Sequence, residues 1–201
     1  MRVEVAFEPA EAGEKLEVPP EGAGAAGPPE RWRADLRENP GLLERLEEAR
    51  RHPSLKNFLA AVNSADSLFS TVRCKTWLKP EGPATATAPG QEPCEFASQI
   101  DLVFAQEQFN LERSHYDNLT GRLQELLTRE TVPDTMRAEL RVRLCRFRAL
   151  GRWGFGLAVF LYARGATAEQ AQLRWGLGLA RIQQALLFSS RVLRQQIAQA
   201  S

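Results

Sequence analysis

The chain has 201 residues, of which 43% are hydrophobic and 25% are charged, and its formal net charge is +1. This length and composition are typical of one globular domain that buries a core of its own. The longest apolar run, Gly154 to Ala163, is too short to span a bilayer. The residues Met1-Arg2-Val3-Glu4-Val5 do not resemble a signal peptide. We therefore expect a cytoplasmic protein with no membrane partner.

The near-neutral total conceals a strong separation of charge along the chain. Residues 136–201 contain eleven arginines, no lysine and two glutamates, a net charge of +9, whereas residues 1–135 carry a net charge of −8. One interpretation is that the basic part engages an acidic partner, either nucleic acid or an acidic protein surface. The other is that the two parts neutralise each other within the fold. The sequence alone leaves both open.

The N-terminal third predicts a strand, a linker and short helices. Apolar and charged residues alternate over Arg2–Glu8, as in a half-buried strand. Residues 18–29 are rich in Pro, Gly and Ala and predict a flexible linker between an N-terminal strand region, 1–17, and a single domain, 30–201. Helices are expected at 30–37, after Asn39 and after Pro53.

Two segments in the middle of the chain predict an antiparallel pair of strands. Residues 70–78 and 96–104 both alternate apolar and polar side chains, and the intervening segment is rich in Pro, Gly, Ala and Thr. The alternative is that 95–105 begins a helix. The apolar spacing from Phe109 to Leu126 then predicts a helix.

A repeat dominates the C-terminal third. The sequence Arg-Trp-Gly-Phe-Gly-Leu-Ala at 152–158 returns as Arg-Trp-Gly-Leu-Gly-Leu-Ala at 174–180. Apolar residues spaced three and four apart predict two long helices, 136–163 and 168–198, which fold back on each other at Gly165-Ala166. In this antiparallel hairpin each indole faces a glycine. The predicted seam is Trp153 against Gly178 and Trp175 against Gly156.

The predicted fold is therefore α+β: a small antiparallel sheet of about three strands packed on a helical bundle that is centred on the hairpin 136–198.

The same C-terminal region also fits a helix-turn-helix unit at 167–187. In that interpretation Arg181, Gln183 and Gln184 read bases. The remaining nucleic-acid-binding candidates are basic residues placed to contact phosphates: Arg137, Arg141, Arg148, Arg152 and Arg174. The two models differ at 176–178, where the hairpin requires continuous helix and the helix-turn-helix requires a turn.

The sequence carries no recognisable catalytic or metal-binding signature. Glu112 and His115 are one helical turn apart, but the further ligands of a di-iron carboxylate site are missing. The three cysteines, Cys74, Cys94 and Cys145, lack metal-ligand spacing and predict reduced thiols, although Cys74 and Cys94 could meet across paired strands. We expect no cofactor and no catalytic residue. The prediction is a non-catalytic protein that binds an acidic macromolecule, most simply nucleic acid; the alternative is an assembly protein that forms homo- or hetero-oligomers, such as a homodimer, through its C-terminal helices.

Overall fold

The computed structural model describes residues 1–8, 16–18, 36–79, 92–129 and 135–200. These residues form one mixed β-sheet with helices packed on one face. The strands are β1 (Arg2–Glu8), β2 (Leu16–Val18), β3 (Phe69–Lys79), β4 (Cys94–Phe104), β5 (Met136–Phe147) and β6 (Arg152–Gly165). The α-helices are α1 (Glu47–Arg51), α2 (Pro53–Val62), α3 (Arg113–Thr128) and α4 (Ala168–Ala200), and 3-10 helices span Pro40–Arg45 and Glu107–Asn110.

The sheet is built around the β5–β6 hairpin. The five long strands lie in the order β1-β5-β6-β4-β3, and the short β2 continues the β1 edge. Both β1 and β2 run parallel to β5, while the other pairs are antiparallel. The predicted pairing of the strands at 70–78 and 96–104 is confirmed, with Arg73 opposite Asp101. Gly151, at φ +59°, closes the turn of the central hairpin in a conformation that favours glycine.

The main core lies between the sheet and its helices. α4 packs on β6 and β4 and contacts both α2 and α3, so it is the middle helix of the layer. Trp175 in the N-terminal part of α4 is buried, packs against Phe96 and donates a hydrogen bond from its indole N–H to Ser98 Oγ at 2.8 Å. A smaller apolar cluster lies on the opposite face of the sheet and consists of Val18, Val72, Val103, Cys145 and Phe147.

The predicted helix at 136–163 is wrong, because this segment forms β5, a turn and β6. In β5 the apolar residues that face the helices occur at every second position, and arginines and Glu139 lie between them. The apolar residues of this segment can also be read at spacings of three and four, which is the pattern that predicted a helix. Pairing with β1 on one side and β4 on the other fixes the period of two instead.

The predicted seam is therefore wrong as well. Trp153 is 47% exposed and lies in β6 at the end of the β5–β6 hairpin rather than in a helix. A Cβ on Gly178 would instead lie 3.0 Å from the Leu161 side chain, and one on Gly156 would meet Cys145 Sγ at 2.8 Å. Both glycines allow close packing, but neither lies under an indole.

The α+β class is confirmed, while the three-stranded antiparallel sheet and the C-terminal helical hairpin are not. The predicted N-terminal strand is β1, and the helices expected after Pro53 and near Phe109–Leu126 correspond to α2 and α3. The segment predicted as a helix after Asn39 forms a 3-10 helix followed by the short α1. Most of the predicted linker 18–29 and of the helix 30–37 lies outside the described residues.

Candidate binding surfaces

The first two predicted phosphate-binding arginines lie on the sheet face opposite the helices. Arg137 and Arg141 flank Glu139 on β5, and each forms an ion pair with its carboxylate. Their guanidinium groups lie over aromatic rings of the neighbouring strand β6, at 4.3 Å from the Tyr162 centroid and 4.6 Å from the Phe160 centroid. Guanidinium groups stacked and paired in this way stabilise the sheet surface.

A buried charge network lies further along the same face. Asp101 on β4 is 0% exposed and accepts a hydrogen bond from Arg73 Nε at 2.7 Å. Arg143 on β5, also buried, lies 3.5 Å from Asp101 and 3.2 Å from Glu8. Each of these arginines compensates a carboxylate that burial alone would penalise. The arginines of this network therefore belong to the fold rather than to a partner site.

Two further arginines of the basic part, Arg164 and Arg174, also pair with carboxylates of the acidic part. Arg174 of α4 forms an ion pair with Glu92 and also donates to the carbonyl of Arg164. Arg164 itself pairs with Glu95 at 3.2 Å. Part of the positive charge of residues 136–201 is thus neutralised by carboxylates of the acidic part, as the second interpretation of the charge separation predicts.

The helix-turn-helix geometry is not present. α4 runs without a break from Ala168 to Ala200, so there is no turn at 176–178. At about 100° per residue, Gln183 lies on the opposite side of α4 from Arg181, while Gln184 lies on its outward face. The three predicted base readers therefore do not share one surface of the helix.

α4 carries an exposed apolar stripe that we had not predicted as a site. Leu173, Leu177 and Phe188 are 68%, 56% and 50% exposed. At about 100° per residue they fall within about 60° of one another, opposite the buried face that contains Trp175 and Ile182. We call these three residues the outer stripe. The signal was present in the sequence, because a helix buried on one side only should not need large apolar residues on the other.

A shallow groove adjoins the outer stripe where α4 meets α3. Its volume is about 200 Å³, and it is lined by Leu126, Leu127, Arg181, Gln184, Ala185 and Phe188. Most of the lining side chains are therefore apolar, and the Arg181 guanidinium group and the Gln184 amide are the polar groups of the groove. The groove extends the outer stripe sideways onto the neighbouring helix.

The remaining predicted phosphate contacts, Arg148 and Arg152, lie at the tip of the β5–β6 hairpin. Both are exposed, as are Arg146 and Leu150, and Trp153 lies directly across from Arg146 in the strand register. We call these five residues the hairpin tip. The chain has no acidic residue between Glu139 and Glu169, so the hairpin tip contributes no negative charge of its own.

The cysteines and histidines of the structure have structural environments. Burial raises the pKa of the Cys74 and Cys145 thiols to about 12, which keeps both in the unreactive protonated form. The three cysteines form no disulfide with one another, and Cys74 and Cys94 do not meet, since Cys74 pairs with Ile100 in the ladder. His115 Nδ1 lies 3.0 Å from the carbonyl oxygen of Phe109. Neither the thiols nor this imidazole forms a nucleophile–base pair.

A further cavity is lined mainly by polar and charged side chains. It measures about 600 Å³ and lies between α1 and the edge strand β3, where arginines and glutamates of residues 45–51 face Arg73 and Cys74. Within the described part of the chain, no group of three or more His, Cys, Asp or Glu side chains is arranged to hold a metal ion.

Comparison with known proteins adds no relationship. The chain has no significant match among protein-family models, curated protein sequences or solved structures. Among the described helices, none is long and apolar enough to cross a membrane. Any functional inference for this protein therefore depends on the chemistry of its own surfaces.

Proposed function

We propose that this protein is a non-catalytic binding module that docks an acidic protein partner on the outward surface of α4. The observation that carries the proposal is the outer stripe. Leu173, Leu177 and Phe188 are at least half exposed and lie in one line over about 22 Å of helix, at 1.5 Å per residue. Large apolar side chains aligned in this way on a protein surface mark sites of protein association.

The charge of the helix indicates the chemistry of the partner. Over its 33 residues α4 carries four arginines and one acidic residue, Glu169. Arg181 stands at the groove beside Phe188, and Arg191 is exposed near the end of the stripe. A partner helix with apolar residues along one face and carboxylates along its margins would complement both properties.

The same properties weigh against other partners for this surface. Phosphate groups gain nothing from exposed leucines, so the outer stripe does not suit the nucleic-acid backbone. Two copies of α4 brought together along their stripes would place like-charged helices side by side, which opposes a homodimer through this face. Three apolar side chains also bury much less than the roughly 800 Å² per partner of a stable interface. We therefore expect a hetero-complex of moderate affinity.

The proposal is tested with a designed acidic amphipathic peptide of about 15 residues, a length that matches the stripe. Isothermal titration of the full chain should show saturable binding. Leu177→Asp should abolish it, because the new carboxylate interrupts the stripe and repels the acidic peptide. Leu150→Asp is the matched control, since it places the same charge on an exposed leucine at the hairpin tip, and it should leave the affinity unchanged.

Two results would contradict this function. Peptide binding that survives Leu177→Asp would place the site elsewhere. A concentration-dependent dimer in sedimentation velocity that Leu177→Asp dissociates would show that a second copy occupies the stripe.

A further inference from the structure

We infer that the hairpin tip is a second, independent binding site, and that its ligand is single-stranded nucleic acid. The site consists of Trp153 with Arg146, Arg148, Arg152 and Leu150, at the end of the sheet where β5 turns into β6. It shares no residue with the outer stripe of α4. Its success or failure therefore does not depend on the protein-binding function proposed above.

Trp153 exposes its aromatic ring although the flanking sequence is nearly the same as that of a buried tryptophan. Trp153 is 47% exposed, whereas Trp175, which occupies the same place in the sequence repeat, is 1% exposed. An indole held on a regular strand and half open to solvent is a stacking surface for a base. Such stacking is tolerant of sequence, because every base has a π-face.

The charge around the Trp153 ring is positive. Arg146 lies directly across the ladder from Trp153, and Arg152 precedes it in β6. Neither of these two arginines forms a hydrogen bond or ion pair with another described residue. By strand alternation Arg146 lies on the same face of the sheet as Trp153, and Arg152 lies on the other face of the same strand end. Guanidinium groups bind phosphate oxygens in a bidentate manner, so Arg146 and the exposed ring together provide both contacts that a single strand offers, and Arg152 adds a phosphate contact where the strand passes the hairpin end.

The order of side chains at the hairpin tip favours nucleic acid over a membrane surface, which basic and aromatic residues can also bind. Insertion into a bilayer needs an apolar face that projects beyond the charges. At the hairpin tip apolar and basic side chains are interleaved: Leu150 is flanked by Arg148 and Arg152, and Trp153 has Arg146 opposite. Burying either apolar side chain in lipid would draw its arginine neighbours into the hydrocarbon. A flexible strand can place bases and phosphates alternately, as this surface requires.

The turn keeps these side chains in a defined arrangement. The amide of Gly151 donates to the carbonyl of Arg148 at 3.2 Å, and the amide of Arg148 donates to the carbonyl of Val18 in β2 at 3.1 Å. The hairpin end is thus held by its own turn and by the neighbouring strand. A surface that is already ordered loses less entropy when it binds.

The test uses fluorescence anisotropy of labelled oligothymidylate and mixed-sequence RNA, each of about 20 nucleotides, which is long enough to exceed one site. The full chain is expected to bind both, and affinity should fall as salt is added. Trp153→Ala should weaken binding roughly tenfold or more. The double variant Arg146→Gln/Arg152→Gln should lower the slope of log K against log salt by about 1.4, the value for two phosphate contacts on a single strand.

The control is Arg50→Gln/Lys79→Gln, which removes the same charge from exposed positions of α1 and β3 outside both proposed sites. It should reproduce only the loss of affinity that follows from a lower net positive charge. Circular dichroism melts confirm that each variant is folded, and the exposed positions make this the expected result. The inference is overturned if neither oligonucleotide binds at low salt, or if Trp153→Ala binds as the native chain does. It is also overturned if the chain binds vesicles of phosphatidylserine and phosphatidylcholine through the hairpin tip but neither oligonucleotide.

Discussion

At the scale of the residue, the two tryptophans of the repeat show how little a local sequence decides about its environment. Trp175 lies in a helix, is fully enclosed and donates to Ser98 Oγ, while Trp153 lies in a strand and is half exposed. The flanking residues are nearly the same in both copies. What differs is the element that packs against each ring.

This difference predicts opposite effects of the same substitution. Trp175→Ala should destabilise the fold by about 3–5 kcal/mol, because it leaves a large cavity and an unpaired Ser98 hydroxyl. Trp153→Ala should change stability by less than about 0.5 kcal/mol, because its ring already faces water. Urea unfolding followed by far-ultraviolet circular dichroism measures both. Equal losses in the two variants would show that Trp153 is buried.

His52 provides a prediction about pH. Its ring packs edge-on against Phe96 and Trp175, and the Gln172 amide donates to Nδ1 at 3.0 Å. Burial, and then the nearby Arg51, lower the pKa of this imidazole, while Glu48 opposes the shift. Below about pH 6.5 the unfolded chain therefore takes up this proton more readily than the folded one, so stability should fall as the pH drops.

The measurement is the free energy of unfolding between about pH 7.5 and pH 5. His52→Gln removes the titrating group and should flatten the curve over this range. A native chain that gains stability on acidification relative to His52→Gln would reverse the assigned direction.

At the scale of the element, α4 shows why a helix needs glycine where it crosses the sheet. A Cβ at Gly178 would approach the Leu161 side chain to 3.0 Å, and Leu161 is itself buried in β6. The glycine weakens the isolated helix but lets it approach the strand closely. Gly121 in α3 is exposed and would have nothing within 4 Å of its Cβ.

These two helical glycines should therefore respond in opposite ways. Gly178→Leu should cost about 1–3 kcal/mol through overpacking, and Gly121→Ala should stabilise α3 by about 1 kcal/mol through helix propensity. Thermal melts of the two variants provide the comparison. A melting temperature for Gly178→Leu at or above that of the native chain would mean that α4 does not pack closely against Leu161 of β6.

The elements that were predicted correctly have a single period of apolar residues and recognisable residues at their ends. Polar and apolar side chains alternate over much of β3 and β4, and α2 begins with Pro53 directly after its N-cap. The segment 136–163 failed because its apolar residues can be read at two periods. Arg137, Glu139 and Arg141 fall at every second position, which was the signal for a strand.

At the scale of the whole molecule, the separated charges of the sequence meet in the folded structure. The ion pairs Glu8–Arg143, Asp101–Arg143, Glu92–Arg174 and Glu95–Arg164 each join the acidic part of the chain to the basic part. Attraction between the two parts therefore contributes to stability, and the partly exposed pairs are open to screening by salt.

We expect the free energy of unfolding to fall by about 1–2 kcal/mol when sodium chloride is raised from about 0.05 to about 0.5 M. Urea titrations at the two salt concentrations make this comparison. Glu92→Gln/Glu95→Gln should reduce the dependence, because it removes the two pairs that lie nearest to solvent. An increase of stability with salt would indicate that repulsion within each part outweighs attraction between them.

The assignment of the candidate site residues stays a prediction. The sequence identified the arginines of residues 136–201 as the basic component of the protein, and Arg148 and Arg152 do lie on an exposed surface. The sequence alone could not distinguish Arg148 and Arg152 from Arg137 and Arg141, whose side chains form ion pairs with Glu139. That distinction depends on which strands lie side by side.

The amino-acid sequence by itself determined the α+β class, the pairing of β3 with β4, the positions of α2 and α3, and the separation of charge. Only the tertiary structure decided that 136–163 forms the centre of the sheet, that α4 is one continuous helix, and that Arg137, Arg141 and Arg143 pair with carboxylates. The physical reason is distance along the chain. A periodic pattern shows which side chains share a face, but burial of that face depends on partners such as β1, which pairs with β5 across more than a hundred residues.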